Sequence, residues 1–380
     1  MFGALKEYLN VVVALLVEIV LNTLLLLFSP LVYLYSRWGG YGNRMKRRTP
    51  LPAVPRSVFI TGASSGVGEA LAYEYCKRAQ KAGVKDLHLF LTGRNVERLQ
   101  TVCEQCRALG AAAVEPVSVD VTDAAGMREA IVKANAQKRL ELVIANAGVS
   151  ASNTALHDKP KQGALGYERS QYILDVNVYG ALYTLWPALD CMTADGKGGQ
   201  LVINASIAGY FAGPMFLSYS ASKAAARFYG EGLRTAMAPL GIRVNTVLLG
   251  FVESRMTAYI KEKQGGLPFG KGAEEAAQAL ASRIARDEGI IEYPFWPFGL
   301  LGQVYNALPP LVREAIWNRG VGTVVAKALA KARRRQERQQ RAPAGKEAEQ
   351  RAVDGREDTA NEAAVNLEQK YVYRTLEQWM

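Results

Sequence analysis

Tyr219 and Lys223 stand four residues apart in the run Tyr219-Ser220-Ala221-Ser222-Lys223. On a helix that spacing puts both side chains on one face. A tyrosine titrates near ~10 and is a poor acid or base at neutral pH. An ammonium beside it favours the phenolate and brings the group towards the working range of an acid/base catalyst. Ser206 precedes the pair and follows an apolar run; its hydroxyl can hydrogen-bond a carbonyl oxygen. A Tyr/Lys pair alone is common on surface helices. Together with the serine it describes a site that moves a proton on or off the oxygen of a carbonyl or alcohol. Other chemistries are poorly supplied. With two histidines and four cysteines the chain is hard pressed to assemble a Cys/His metal cluster, and no metal site is expected. A Ser-His-Asp triad would have to draw on His88 or His157, which read as a strand residue and a solvated loop residue.

These residues need a scaffold, and the sequence describes one. Ser57 to Ile60 reads as a strand, and Glu69 to Lys81 as a helix. Between them lies Thr61-Gly62-Ala63-Ser64-Ser65-Gly66-Val67-Gly68. Strand, glycine turn, helix is the context of a dinucleotide site. Gly62 allows a tight turn, Gly66 lets the backbone approach a pyrophosphate, and Gly68 lets helix pack on strand, with the helix N-terminus facing the phosphates. The spacing is G-x-x-x-G-x-G, and alone it fits a plain Gly/Ser connection as well. The alternation continues with strands expected at Leu87–Thr92, Val114–Val119, Leu140–Ala145, Gln200–Ala205 and Arg243–Leu248. Helices are expected at Val96–Leu109, Ala124–Ala136 and Ala221–Ala238. This βαβα order predicts an α/β fold, a Rossmann-like doubly wound parallel sheet. An acid at the end of the second strand would read the ribose hydroxyls of NAD, whereas an arginine accommodates the 2′-phosphate of NADP. The chain has Thr92-Gly93-Arg94 there and no acid, so NADP(H) is favoured over NAD(H).

TGASSGVG, Asp120, Ala145-Asn146-Ala147-Gly148, Asn177, Ser206 and Tyr219 to Lys223 together resemble, in order and spacing, the single-domain short-chain dehydrogenase/reductases. The resemblance runs from about Ser57 to Met256. It implies a seven-stranded sheet binding NAD(P)(H), with Tyr219 as general acid/base. It also implies that Lys223 holds the nicotinamide ribose and lowers the Tyr219 pKa, that Ser206 positions the carbonyl or alcohol, and that Asn177 holds a water in the proton relay. The implied cofactor contacts are Gly62, Ser64, Ser65, Gly66, Val67, Gly68, Arg94, Asp120, Asn146, Tyr219, Lys223, Gly250 and Val252. Asp120 would touch the adenine, and Asn146 would support the sheet and the pocket. Leu249-Gly250 stands where the family commonly has Pro-Gly, Ala145 where many members have Asn, and Ser254 where Thr is common.

Outside this core the chain is of another character. Val11 to Tyr35 is almost continuously apolar, interrupted by Glu18, Asn22, Thr23, Ser29 and Pro30. About 20 apolar residues suffice to span a bilayer. Residues 1–36 therefore read as a retained transmembrane anchor, longer than a signal-peptide core and without a small-residue cleavage site. Lys6, offset by Glu7, is the one basic residue before the span and five follow between Arg37 and Arg48, which places the rest of the chain in the cytosol, with the endoplasmic reticulum the default membrane. Residues 37–55 read as a basic, Pro-rich linker, 56–320 as the catalytic domain, 321–341 as a basic helix and 342–380 as a charged tail without enough apolar residues to fold. Of the net charge of +11, the stretches Arg37–Arg56 and Lys327–Arg341 each supply six, leaving the body near neutral. A neutral body argues against nucleic acid, and two local patches suit an anionic membrane surface.

Residues 290–311 are rich in aromatic residues and proline; Tyr293, Phe295, Trp296 and Phe298 line a lipophilic pocket, meet the membrane, or cover the core and a dimer surface. Cys103 and Cys106 form a C-x-x-C inside an expected helix and read as half-buried helix residues. The expected protein is a membrane-anchored NADP(H) oxidoreductase for a lipophilic carbonyl or secondary alcohol (3-keto sphingoid base, steroid, retinoid or ketoacyl chain). It would act as a homo-oligomer. The alternative is a catalytically silent NADPH-binding scaffold or sensor at a membrane; the intact set of Asn177, Ser206, Tyr219 and Lys223 speaks against it.

Overall fold

The computed structural model describes residues 54–150, 167–211, 216–258, 267 and 269–317, with scattered helical positions between Val13 and Phe28. Strand β1 (Ser57–Ile60) leads into α1 (Gly66–Lys81), β2 (His88–Thr92), α2 (Val96–Ala108), β3 (Ala113–Val117), α3 (Ala124–Gln137) and β4 (Leu142–Ala145). The chain then runs through α4 (Tyr167–Leu174), a π turn at Asp175–Tyr179 and α5 (Gly180–Asp195) to β5 (Gly199–Asn204). A short 3-10 helix at Ile207–Tyr210 precedes α6 (Leu217–Met237), β6 (Ile242–Leu249), α7 (Ala273–Ala285) and β7 (Ile290–Tyr293). The described chain closes with α8 (Leu300–Ala307) and α9 (Pro310–Ile316).

All seven strands pair in parallel, in the order β3-β2-β1-β4-β5-β6-β7. Every residue of β1 (SVFI) and β4 (LVIA) is buried, because helices cover both sheet faces. Helices α1, α2 and α7 pack on one face around Leu71, Val102 and Leu280. Helices α3, α5 and α6 pack on the other around Ile131, Leu185 and Leu233. The edge strand β3 carries Pro116, a residue that central strands exclude. Local chemistry sets helix starts: Asn95 accepts the Arg98 N–H (2.8 Å) at α2, and Asp123 accepts the Gly126 N–H (3.0 Å) at α3.

The strand order reverses between β1 and β4, and ligands of open α/β sheets bind above the carboxyl ends of the strands at such a point. Expected and observed elements agree closely in the first half. Helix α6 starts at Leu217, four residues before the expected Ala221, so Tyr219 lies inside its first turn. Most of the expected N-terminal anchor and of the linker, and all of the basic helix and the tail, lie outside the described residues. Among the described residues no helix is long and apolar enough to cross a membrane.

Helix α6, which carries Tyr219 and Lys223, lies tight on the sheet at Gly230. A Cβ there would stand 2.2 Å from Thr246 Oγ1 and 2.6 Å from Ile203 Cγ2. Gly230→Ala is expected to lose about 1–3 kcal/mol of stability, read by urea denaturation, through overpacking alone. An unchanged midpoint would mean that α6 moves off the sheet without cost.

Candidate active site

The carboxyl ends of β1, β4 and β5 are tied together by side-chain amides. Asn146 Nδ2 donates to the carbonyls of Thr61 (3.0 Å) and Gly62 (3.3 Å). Its Oδ1 accepts from Asn204 Nδ2 (2.8 Å). Thr61 Oγ1 accepts from the backbone N–H groups of Asn146 (3.0 Å) and Ala147 (3.1 Å). The glycine loop is thereby fixed against β4.

Two features of that loop fit a bound dinucleotide. A Cβ on Gly68 would lie 2.4 Å from the Gly62 carbonyl oxygen and 2.6 Å from Asn146 Nδ2, so only glycine lets α1 begin this close to the turn. Ser65 occupies the N-cap of α1 yet makes no side-chain capping bond. The first-turn N–H groups, with Gly66 and Val67 among them, are left for an anion, and a phosphate at a helix N-terminus satisfies them. Ser64 lies against Gly93 at the end of β2, where an added Cβ would be 2.9 Å from the Ser64 Cβ. Arg94 follows; its Nη1 donates to Tyr172 Oη (2.6 Å) and lies 3.9 Å from Asp120 Oδ2. The adenine-end residues predicted from sequence, Arg94 and Asp120, are therefore side by side.

The reacting end is built on β5, the 3-10 turn and α6. Ser206 Oγ donates to the Leu249 carbonyl (3.0 Å) and accepts the Ala208 N–H (3.1 Å), capping the 3-10 turn. Lys223 is only 4% exposed. Its Nζ donates to the Asn204 carbonyl (2.9 Å) and lies 5.8 Å from the Tyr219 ring centroid. Burial pulls the ammonium down to about 8. Burial pushes the Tyr219 phenol above its ordinary value, and the Ser206 hydroxyl beside it opposes that shift. The lowering of Tyr219 by Lys223 that the resemblance implies is not what this arrangement gives. Burial dominates, and the ammonium is turned to Asn204. A neutral phenol is the form that donates a proton.

Asn177 sits in the π turn, a distortion frequent at functional sites. Its Nδ2 donates to the Val149 carbonyl and to Ser222 Oγ (both 2.9 Å), and its Oδ1 accepts the Val149 N–H (2.8 Å). The side chain therefore pins the loop after β4 to α6, and its donors are spent on protein. Gly148 lies between Asn177 and Lys223; a Cβ there would be 3.2 Å from Asn177 Oδ1 and 3.4 Å from Lys223 Nζ. Gly250 N–H pairs with the Tyr293 carbonyl (2.8 Å), and Val252 is buried, so the Leu249-Gly250 departure leaves a regular end to β6.

Thr61, Asn204 and Ser222 hold the site and were not singled out from the sequence. Cys103 and Cys106 are buried, with Cys76, between α1 and α2; burial raises Cys103, and the neighbouring Cys76 thiol and burial raise Cys106. Neither has the thiolate character of a redox pair. Among the described residues no cluster could hold a metal ion. His88 starts β2, and His157 lies outside the described residues.

A buried ammonium weakens the empty protein. The value falls from 10.5 to about 8 on folding, so the unfolded chain binds more protons between those values, and stability rises with pH across that window. Lys223→Met is expected to stabilise the cofactor-free protein by on the order of 2 kcal/mol at pH 7, with the gap closing by pH 10. Urea midpoints at the two pH values check this; a variant less stable at pH 7 would refute it.

A model of the short chain dehydrogenase family matches residues 56–265. The chain is 34% identical over 255 residues to an uncharacterized oxidoreductase of Myxococcus xanthus, covering 67% of this chain and 93% of that protein. It is 32% identical over 242 residues to the 11-beta-hydroxysteroid dehydrogenase-like 3 protein of Arabidopsis thaliana, covering 63% and 73%. Its fold is similar to that of a short-chain dehydrogenase from Sphingobium yanoikuyae solved in complex with NADPH, with a TM-score of 0.56 at 23% identity over 66% of this chain and 92% of that one. Glycine cradle, buried lysine, Tyr219 and Ser206 at one sheet edge, together with these matches, place the chain in the short-chain dehydrogenase/reductase family, oxidoreductases that act between CH–OH and C=O with NAD(P).

Proposed function

We propose that this chain is a membrane-anchored, NADP(H)-dependent reductase or dehydrogenase of a lipophilic carbonyl or secondary alcohol. The observation that carries the substrate class is the pair of aromatic clusters built on the segments that follow Ser206 and β6. Phe211, at the end of the Ser206 turn, packs on Tyr305 (5.1 Å between centroids). Phe298 meets Phe251 (5.5 Å) and Phe269 (5.8 Å) edge to face. An apolar substrate body against these rings would leave Ser206 and Tyr219 to recognise the one polar oxygen.

When bound, the nicotinamide cofactor supplies or accepts the hydride. The protein's own residues handle the oxygen. Ser206 keeps its hydroxyl hydrogen on the Leu249 carbonyl, and rotation about Cβ–Oγ hands it to the substrate oxygen. Tyr219, held neutral by burial, gives its proton to that oxygen in the reductive direction and takes it back in the oxidative one. Lys223 keeps its charge next to the ring and beside the Gly148 loop, where a ribose hydroxyl would be met. Arg94, with no acid in the same β2 terminus, supports NADP(H).

Membrane association rests on three features. The apolar run of residues 11–35 is long enough to span. Helical positions within it, Leu16, Val20 and Leu27 among them, are exposed rather than packed. Phe295, Trp296 (67% exposed), Leu301 and Leu311 present apolar surface close to the aromatic clusters in sequence. Of the expected aromatic stretch, Tyr293 and Phe298 are half-buried whereas Phe295 and Trp296 are exposed, which supports contact with both the protein interior and a membrane face. The charge flanking the span supports a cytosol-facing domain on the endoplasmic reticulum. Exposed Tyr179, Trp186 and Phe228 on the α5 and α6 side support a homo-oligomer.

Full-length protein in detergent is expected to oxidise NADPH, in preference to NADH, with one member of a panel of ketolipids, steroid ketones and retinal. Tyr219→Phe should lower that rate at least 10²-fold, the scale of general acid catalysis. A variant with full turnover, or a preference for NADH, would overturn the reading. In cells the chain is expected to stay with the membrane pellet in alkaline carbonate, and to be digested by protease added to sealed microsomes. Release into the carbonate supernatant would reject the anchor, and protection from protease would reject the cytosolic orientation.

A further inference from the structure

Arg94 is not alone at the end of β2. Its Nη1 donates to Tyr172 Oη at 2.6 Å, across 78 residues of sequence, from β2 to α4. The Tyr172 ring is packed against the apolar core, so its hydroxyl is a fixed acceptor rather than a mobile one. On the other side, Asp120 Oδ2 lies 3.9 Å from the same Nη1. That carboxylate is itself held, because its Oδ1 accepts from Thr122 N (2.9 Å) and Thr122 Oγ1 (2.8 Å). Arg94 and Asp120 side chains are 42% and 39% exposed, so this long ion pair is screened by water and holds little. The short bond to the phenol is the stronger constraint.

Both restraints fall on Nη1. A guanidinium has five N–H donors in a rigid plane. With one end pinned, the Nη2 and Nε edge keeps one orientation and remains open for an anion. An arginine whose rotamer is already chosen loses less entropy on binding a phosphate than a free one.

We infer that Tyr172 is a specificity-determining residue for the cofactor: it holds Arg94 in the orientation that accepts a ribose 2′-phosphate. The inference rests on the NADP(H) reading above and adds a residue that lies in neither the glycine loop nor β2. It predicts that the phenol matters only for ligands that carry the 2′-phosphate.

The test is calorimetric binding to the full chain in detergent, with 2′,5′-ADP and 5′-AMP as probes of the adenine end. Wild type is expected to bind 2′,5′-ADP more tightly than 5′-AMP. Tyr172→Phe should weaken 2′,5′-ADP about three- to tenfold, the range for the net contribution of one hydrogen bond, and leave 5′-AMP unchanged. In an Arg94→Ala background the same change should have no effect on either probe, which a double-mutant cycle reads directly. Equal loss for both probes would make Tyr172 a structural residue only, and unchanged or tighter 2′,5′-ADP binding would show that the phenol does not orient the arginine. Either result overturns the inference while leaving the cofactor reading intact. A wild type that shows no preference for 2′,5′-ADP would instead remove the NADP(H) reading itself, and the inference with it.

Discussion

The amide of Asn146 is the constraint on which the rest depends. One side chain donates into the turn after β1 and accepts from the last residue of β5. It thereby welds three neighbouring strand ends at the point where the sheet changes direction. Parallel strands end in carbonyls and loops, and nothing in a ladder of backbone bonds fixes how those loops stand relative to one another. A half-buried amide with both its ends engaged does so, because it ties the loops to one another directly and an unmet bond in that position would cost part of the desolvation of the group. The glycine loop, the Gly148 loop and the Asn204 carbonyl that receives Lys223 all hang from this knot.

Lys223 shows what such rigidity is used for. An ammonium held away from water is an expense in the isolated protein, and the fold carries it because the same charge is wanted when ligands arrive. Stability and function are set against each other at one residue, and the resolution is a single main-chain acceptor. Tyr219, which is half-buried, is shifted by the same cause in the opposite sense, since removing water raises a phenol and lowers an ammonium.

Much of this was legible in the sequence, and the residues that were not share a reason. β1 and β4 could be found because strands buried on both faces are unbroken apolar runs. Tyr219, Lys223 and Ser206 could be found because their side chains do the work and their spacing is fixed by one helix and one strand. Asn204 could not, because its contribution to Lys223 is a backbone carbonyl that every residue possesses. Tyr172 could not, because its partner lies far away in sequence and no local pattern joins them. β7 escaped because Ile290–Tyr293 is embedded in a proline- and aromatic-rich stretch with no period to read. Helix α5 escaped because it has Pro187 inside and is buried on several sides, so that neither propensity nor amphipathic spacing marks it. How Lys223 bears on Tyr219 could not be read from the sequence either, because adjacency on a helix face says nothing of where an ammonium points.

The bare N-terminus of α1 has a consequence of a different kind. Ser65 stands in the capping position without capping, so the helix is finished only when something else brings oxygens to its first N–H groups. The dinucleotide then becomes a folding component as well as a reagent. By mass action its concentration adds to the free energy of unfolding, and the fraction of chains open to proteases falls as the nucleotide pool rises. Bound nucleotide would in this way protect the folded chain, and its persistence would rise with the supply of its own reagent.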